Sequence, residues 1–231
     1  MEIDARSGLP VDDLSQSAVR HLRKILEDQN LRVAALGFPT RRPLYAEEEL
    51  DRRLDALRRT MQAAYRLGTR TVVMSLGELP SAEDQKKWDL LVELLLDLGR
   101  YAEHVGALLA AETGLDDGRQ LSQLLSRLPE GTLWVAFNPG ALLVHGFDPK
   151  SALALLGPFV QYVYATDGVR EPSLVRGIGV PLGRGAANFP ELLALLEEYR
   201  YKGYFTVRRD EAEKPEQELA WAVQYLRNLV E

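Results

Sequence analysis

The sequence predicts an α/β barrel of repeated strand-then-helix units, and three observations lead there. Short β-branched or apolar runs alternate with longer stretches of helical period along the whole chain, the pattern of parallel strands joined by crossover helices. The alternation returns at intervals of roughly 25 to 30 residues, the size of one strand-helix unit. A length of 231 residues suits one such barrel better than two small domains, and no linker, low-complexity tract or charge block divides it.

Taken in order, strands are expected at 2–5, 32–38, 71–77, 107–113, 133–138, 161–167 and 204–209, seven in all. Between and after them the helical period covers 14–29, 46–67, 82–105, 119–128, 149–156, 189–201 and 217–230. The helix from Ala46 places Leu50, Leu54, Leu57, Met61, Ala64 and Tyr65 on one stripe, as a helix lying on a sheet requires. Ser81 before Ala82-Glu83-Asp84 reads as an N-cap with acids in the first turn. Gly68 and Gly106 follow their helices where a left-handed C-cap is wanted. The stripe Leu90, Leu91, Leu94, Leu95, Leu98 reads as core. A closed barrel has eight strands, so one strand-helix unit is expected to be lacking at the N-terminal side. Either the start is incomplete, or an open seam remains that a partner chain, such as a second copy in a homodimer, would cover.

Composition excludes several function classes. The chain is 46% hydrophobic and 27% charged, which is globular, and it contains no cysteine. Disulfides, thiolate metal sites and cysteine nucleophiles are therefore out, and a reducing cytoplasm suits the chain. A net charge of -6 gives no overall pull toward nucleic acid or anionic membrane, so neither partner is expected. No secretion signal is visible in the opening residues, so none is expected, and the longest apolar run, 90–98, is broken by Glu93 and Asp97, far short of the ~20 residues of a membrane span.

In α/β barrels functional groups sit where strands end. Four positions stand out: Glu112, Asn138, Tyr164 with Asp167, and Arg208. The runs 142–149 (Leu-Leu-Val-His-Gly-Phe-Asp-Pro), 180–185 (Val-Pro-Leu-Gly-Arg-Gly) and 201–207 (Tyr-Lys-Gly-Tyr-Phe-Thr-Val), preceded by 67–73 (Leu-Gly-Thr-Arg-Thr-Val-Val), follow one another in a telling order. In these motifs the chain resembles the xylose isomerase-like sugar phosphate isomerase/epimerase family over nearly its whole length. The resemblance implies a TIM-type (β/α) barrel whose first strand-helix unit is absent. It also implies a divalent metal such as Mn, Mg, Co or Zn, held by Glu, Asp, His and Glu from four successive strand ends. Only Glu112 matches that set; Asn138 stands for the Asp, Tyr164 for the His and Arg208 for the Glu. A guanidinium has no lone pair to donate, a phenol must lose a proton near pH 10, and an amide carbonyl is a weak ligand, so no cofactor is expected.

The substitutions suggest a Glu112–Arg208 ion pair with Asn138 and Tyr164 around it in place of the metal. That arrangement either fills a dead site or lines a polar pocket for a small carbohydrate or sugar phosphate. Should catalysis persist, Glu112 is the candidate base and Arg208 the candidate electrophile for an enediolate. The glycine-rich loop 177–185, with Arg184, could receive a phosphate through its backbone amides, and Arg41 and Arg42 add charge at the same strand ends. His145 could reach the mouth, whereas His21 and His104 fall on helices, and Ser75 and Thr166 lack a nucleophile elbow. Three readings follow: a sugar-binding relative with lost or altered catalysis, an active metal-dependent isomerase or epimerase, and an interaction protein using an open seam. A nuclease of the same barrel type would need many metal-binding histidines, and the chain has three.

Overall fold

The computed structural model describes residues 1–9, 11, 14–170, 176–209 and 214–230. The chain divides into two compact units, residues 1–111 with 124–134, and residues 112–123 with 135–231. All seven expected strands form among the described residues, and every pairing between them is parallel within its unit.

In the first unit β1 (Glu2–Asp4), β2 (Ala35–Phe38), β3 (Thr71–Met74) and β4 (Leu108–Glu112) lie side by side in chain order, β4 ending one residue into the second unit. Helices α1 (Gln16–Asp28), α2 (Leu50–Leu67) and α3 (Gln85–Val105) connect them. Because both faces of a parallel sheet are covered, β2 is buried along its whole length. Leu57, Met61, Leu91, Leu95 and Leu98 lose all solvent contact in the core built against the sheet. Tyr65 departs from the expected stripe: it is 65% exposed, because the α2 surface that packs inward ends its stripe at Ala64 and Leu67.

Two helix starts differ from the sequence expectation for a local reason. Helix α2 begins at Leu50 rather than Ala46, since Arg53 turns back and donates to the carbonyls of Leu44 (3.1 Å), Ala46 and Glu48 (3.2 Å). Glu49 before it is left-handed at φ 53°, which stops the helix from extending toward Ala46. Helix α3 begins at Gln85, capped by Asp84, whose Oδ1 accepts from the Lys87 amide at 3.2 Å. Ser81 instead offers its carbonyl to the Trp88 indole N–H at 3.1 Å. Gly68 and Gly106 do end their helices at φ 82° and 75°.

In the second unit β5 (Trp134–Phe137, its first residue in the first unit), β6 (Val160–Ala165) and the later strand β9 (Phe205–Val207) are neighbours in that order. Helix α4 (Arg119–Ser126) runs from one unit into the other; α6 (Pro149–Leu156), α7 (Phe189–Glu198) and α8 (Pro215–Val230) belong to the second. Two features have no counterpart in the sequence expectation. A short helix α5 (Pro139–Val144) starts at once after β5, with Asn138 as N-cap and proline in its first turn. After β6 the chain breaks at Thr166 and makes an antiparallel ribbon of β7 (Asp167–Val169) and β8 (Ile178–Val180). The glycine-rich loop expected at 177–185 thus contains strand β8.

Candidate functional site

The candidate site lies in the second unit, where β4, β5, β6 and β9 end. Glu112 is the last residue of β4, Asn138 follows β5, Tyr164 is next to last in β6, and Arg208 follows β9. These four side chains meet. The Oε1 atom of Glu112 accepts from Arg208 Nη2 at 2.8 Å and from Asn138 Nδ2 at 2.6 Å. The Arg208 guanidinium carbon stands 4.3 Å from the Tyr164 ring centroid, a cation–π stack. Tyr164 itself is buried, with Tyr162 edge-on at 5.2 Å.

The direction of every hydrogen bond around Asn138 follows from its donors. Asn138 Oδ1 accepts the amide of Ala141 at 2.9 Å, as an N-cap does, and the hydroxyl of Thr166 at 2.6 Å. Thr166 Oγ1 in turn accepts the Gly140 amide at 3.1 Å. The Asn138 amide is thus fixed with nitrogen toward Glu112 and oxygen toward α5. A side chain at Gly140 would place Cβ 2.7 Å from Thr166 Oγ1 and 2.9 Å from the Asp167 nitrogen, so glycine here serves close approach rather than a turn.

Beside this cluster opens a cleft of about 480 Å³, within the usual range for small-ligand sites. Asn138, Thr166 and Arg208 belong to its wall, together with His145, Arg176 and Arg209, and Ala141, Val144 and Ile178 supply apolar surface. His145 caps α5; its Nδ1 lies 2.9 Å from the Ala141 carbonyl and its Nε2 lies 2.9 Å from Arg176 Nη2. A carbonyl only accepts and a guanidinium only donates, so the proton of neutral His145 sits on Nδ1. Arg209 pairs with Glu218 of α8 at 2.8 Å.

Asp167 has another occupation. Its carboxylate is buried and accepts four backbone amides: Gly168 (2.8 Å) and Ala187 (2.9 Å) on Oδ1, Gly183 (3.0 Å) and Gly185 (2.8 Å) on Oδ2. Gly183 and Gly185 belong to the loop 177–185 expected to receive a phosphate, and their amides are spent on Asp167. Arg184 is exposed, lies outside the cleft lining and stacks over Trp221 at 5.6 Å, while the Trp221 indole donates to the Leu182 carbonyl at 3.0 Å. Sequence reasoning missed Arg176 and Arg209 as cleft residues, and Thr166 as the link between Asn138 and α5. Only the ribbon β7–β8 brings Arg176 to His145, and nothing in the local sequence announced that ribbon. Among the described residues no three His, Cys, Asp or Glu side chains gather as metal ligands would. No helix among the described residues is long and apolar enough to cross a membrane.

Comparison with known proteins agrees with this layout. A sequence profile for the xylose isomerase-like TIM barrel matches residues 1–229. An inosose dehydratase of Clostridium beijerinckii is 24% identical over 91% of this chain and 80% of its own length. The crystal structure of a xylose isomerase domain protein from Planctomyces limnophilus superposes with a TM-score of 0.85 at 20% identity, covering 93% of this chain and 83% of that one. A xylose isomerase-like TIM barrel protein from Mycobacterium smegmatis, crystallised in complex with magnesium, gives a TM-score of 0.77 at 18% identity over 100% of this chain and 85% of that one. The seven parallel strands with their connecting helices, one unit short of the eight of a full barrel, and the match along almost the whole sequence place the chain in the xylose isomerase-like TIM barrel family of sugar isomerase- and epimerase-like proteins.

Proposed function

We propose that the chain binds a small carbohydrate or phosphorylated metabolite in the cleft beside Glu112, with the Glu112–Arg208 pair where its relatives would hold a divalent metal, and with catalysis lost or altered. The observation that supports this reading most directly is the 2.8 Å contact between Arg208 Nη2 and Glu112 Oε1. A fixed cation already neutralises the one carboxylate of the four positions. The remaining donors do not fit a metal either: both acceptor sites of Asn138 Oδ1 are taken, and the Tyr164 ring lies beneath the guanidinium.

The cleft suits a polar ligand. Arg176, Arg208 and Arg209 line it and supply guanidinium donors for hydroxyl and phosphate oxygens. Both of these donors fall on Glu112 Oε1, and this reading assigns Oε2 to a substrate hydroxyl or to a proton α to a carbonyl. Should turnover persist, Glu112 takes that proton and the Arg208 guanidinium stabilises the enediolate oxygen, a step that needs no Lewis acid.

The test is elemental analysis by ICP mass spectrometry after incubation with excess Mn, Co, Mg and Zn and removal of loose metal, followed by a thermal-shift screen of sugars, sugar phosphates and inosose. The expected result is no stoichiometric metal and a stabilising ligand whose effect disappears in Arg208→Ala. Near-stoichiometric retained metal would return the active metal-dependent isomerase as the better reading.

A further inference from the structure

Helix α8 of the second unit is tied to its own unit along one side. Its Glu218 pairs with Arg209 at 2.8 Å, its Trp221 indole donates to the Leu182 carbonyl, and its Tyr225 ring lies so close to Gly183 that a Cβ there would stand 2.8 Å away. Among the described side chains of this helix, Ala222 and Leu226 alone are buried. For 16 residues that is little, since helices of this length draw most of their stability from packing.

Another face carries Glu216, Ala220, Val223 and Arg227, all four exposed, Val223 to 41%. Steps of four, three and four residues keep them on one stripe, the spacing of a coiled-coil seam. We propose that this stripe is the interface of a homodimer in which two copies of α8 pack antiparallel about a twofold axis.

The order of charges selects a second copy as the occupant. Along the helix the stripe runs acid, apolar, apolar, base, and that order is its own complement only when reversed. A twofold axis level with the midpoint between Trp221 and Ala222 sets Glu216 of each copy opposite Arg227 of the other, and Ala220 opposite Val223. Both ion pairs form together, because the same eleven-residue interval, about 16 Å of helix, separates their members in each copy. Ala220 at the centre lets the two backbones approach closely, and Val223 of the other copy fills the space over it. Antiparallel alignment also places opposite helix dipoles side by side. A parallel pair would instead set Glu216 against Glu216 and Arg227 against Arg227.

Sedimentation velocity of the full chain tests this. A single-helix contact is small, so the proposal expects reversible dimerisation with a Kd of about 10 to 100 µM. E216R and R227E each put like charges at both ends of the interface and weaken it about ten-fold or more. Mixing these two single variants in equal amounts restores the dimer, since each then meets opposite charges, and the combined E216R/R227E chain dimerises as the parent does. The combined variant separates association from a role inside the helix: its reversed charges oppose the α8 dipole at both ends, so a purely intrahelical role makes it the worst of the three. V223D abolishes the dimer, and far-UV circular dichroism checks that every variant is folded. A chain that stays monomeric to about 500 µM, equal association of E216R and parent, or no association in both the mixture and the combined variant would each overturn the proposal.

Discussion

At the level of single residues, Arg208 decides what the Glu112 site can be. Its guanidinium satisfies Glu112 and covers Tyr164 at once, and the pair is only partly exposed, 33% for Arg208 and 21% for Glu112. Replacing Arg208 by methionine leaves a half-sheltered carboxylate with Asn138 as its described donor. Solvent access reduces the penalty from that of a fully buried pair to about 1–2 kcal/mol, seen as a lower denaturant midpoint. Adding Glu112→Gln restores part of the loss, and a double-mutant cycle that shows strict additivity would deny the coupling. The four residues of this pair and its surroundings were legible in sequence because each sits at a strand end, where the fold brings side chains together. Arg184 and Asp167 show where that reasoning stops. Position on a loop or strand end does not tell whether an arginine finds an indole or a carboxylate finds backbone amides.

For individual elements, hydrogen-bond chemistry accounts for most departures from sequence periodicity. Asp148 caps α6 by accepting from the amides of Lys150 and Ser151, and the Ser151 contacts, with its hydroxyl first, lower the carboxyl pKa. A depressed carboxyl adds stability that is present above the unfolded value near 3.9 and lost as pH falls through the lower folded value. Asp148→Ala is expected to cost about 1 kcal/mol at neutral pH, with the gap between variant and parent closing below that range. Gly99 tests packing in α3. A Cβ there would lie 2.6 Å from Thr132 Cγ2, so Gly99→Ala destabilises by about 1 kcal/mol or more although alanine is the better helix former, and Thr132→Ser recovers part of it in thermal melts. Neither the α5 helix nor the β7–β8 ribbon is visible in the sequence, since both are short and their residues mimic turns.

For the molecule as a whole, alternating strands and helices gave the fold class because a repeated period survives local errors of several residues at each boundary. The cluster of arginines at the ends of β1 and β2 was legible only at Arg41 and Arg42. Arg6 and Arg59 are far apart in the chain, and only parallel strands in register carry the ends of β1 and β2 to the start of α2. Net charge hides the same feature, since acids elsewhere outnumber it. If metal is no part of the fold, EDTA leaves the thermal midpoint unchanged at any concentration of free divalent ion; a falling midpoint on chelation would instead reveal a bound cation.

Trp221 gives the second unit a built-in optical probe. The chain has three tryptophans, and the other two, Trp88 and Trp134, belong to the first unit. The Trp221 indole is bonded to the loop at Leu182 and covered by Arg184, on the same loop whose amides Asp167 gathers. Emission from this one indole, isolated by replacing the other two with phenylalanine, therefore reports whether that loop stays docked as a ligand enters the neighbouring cleft.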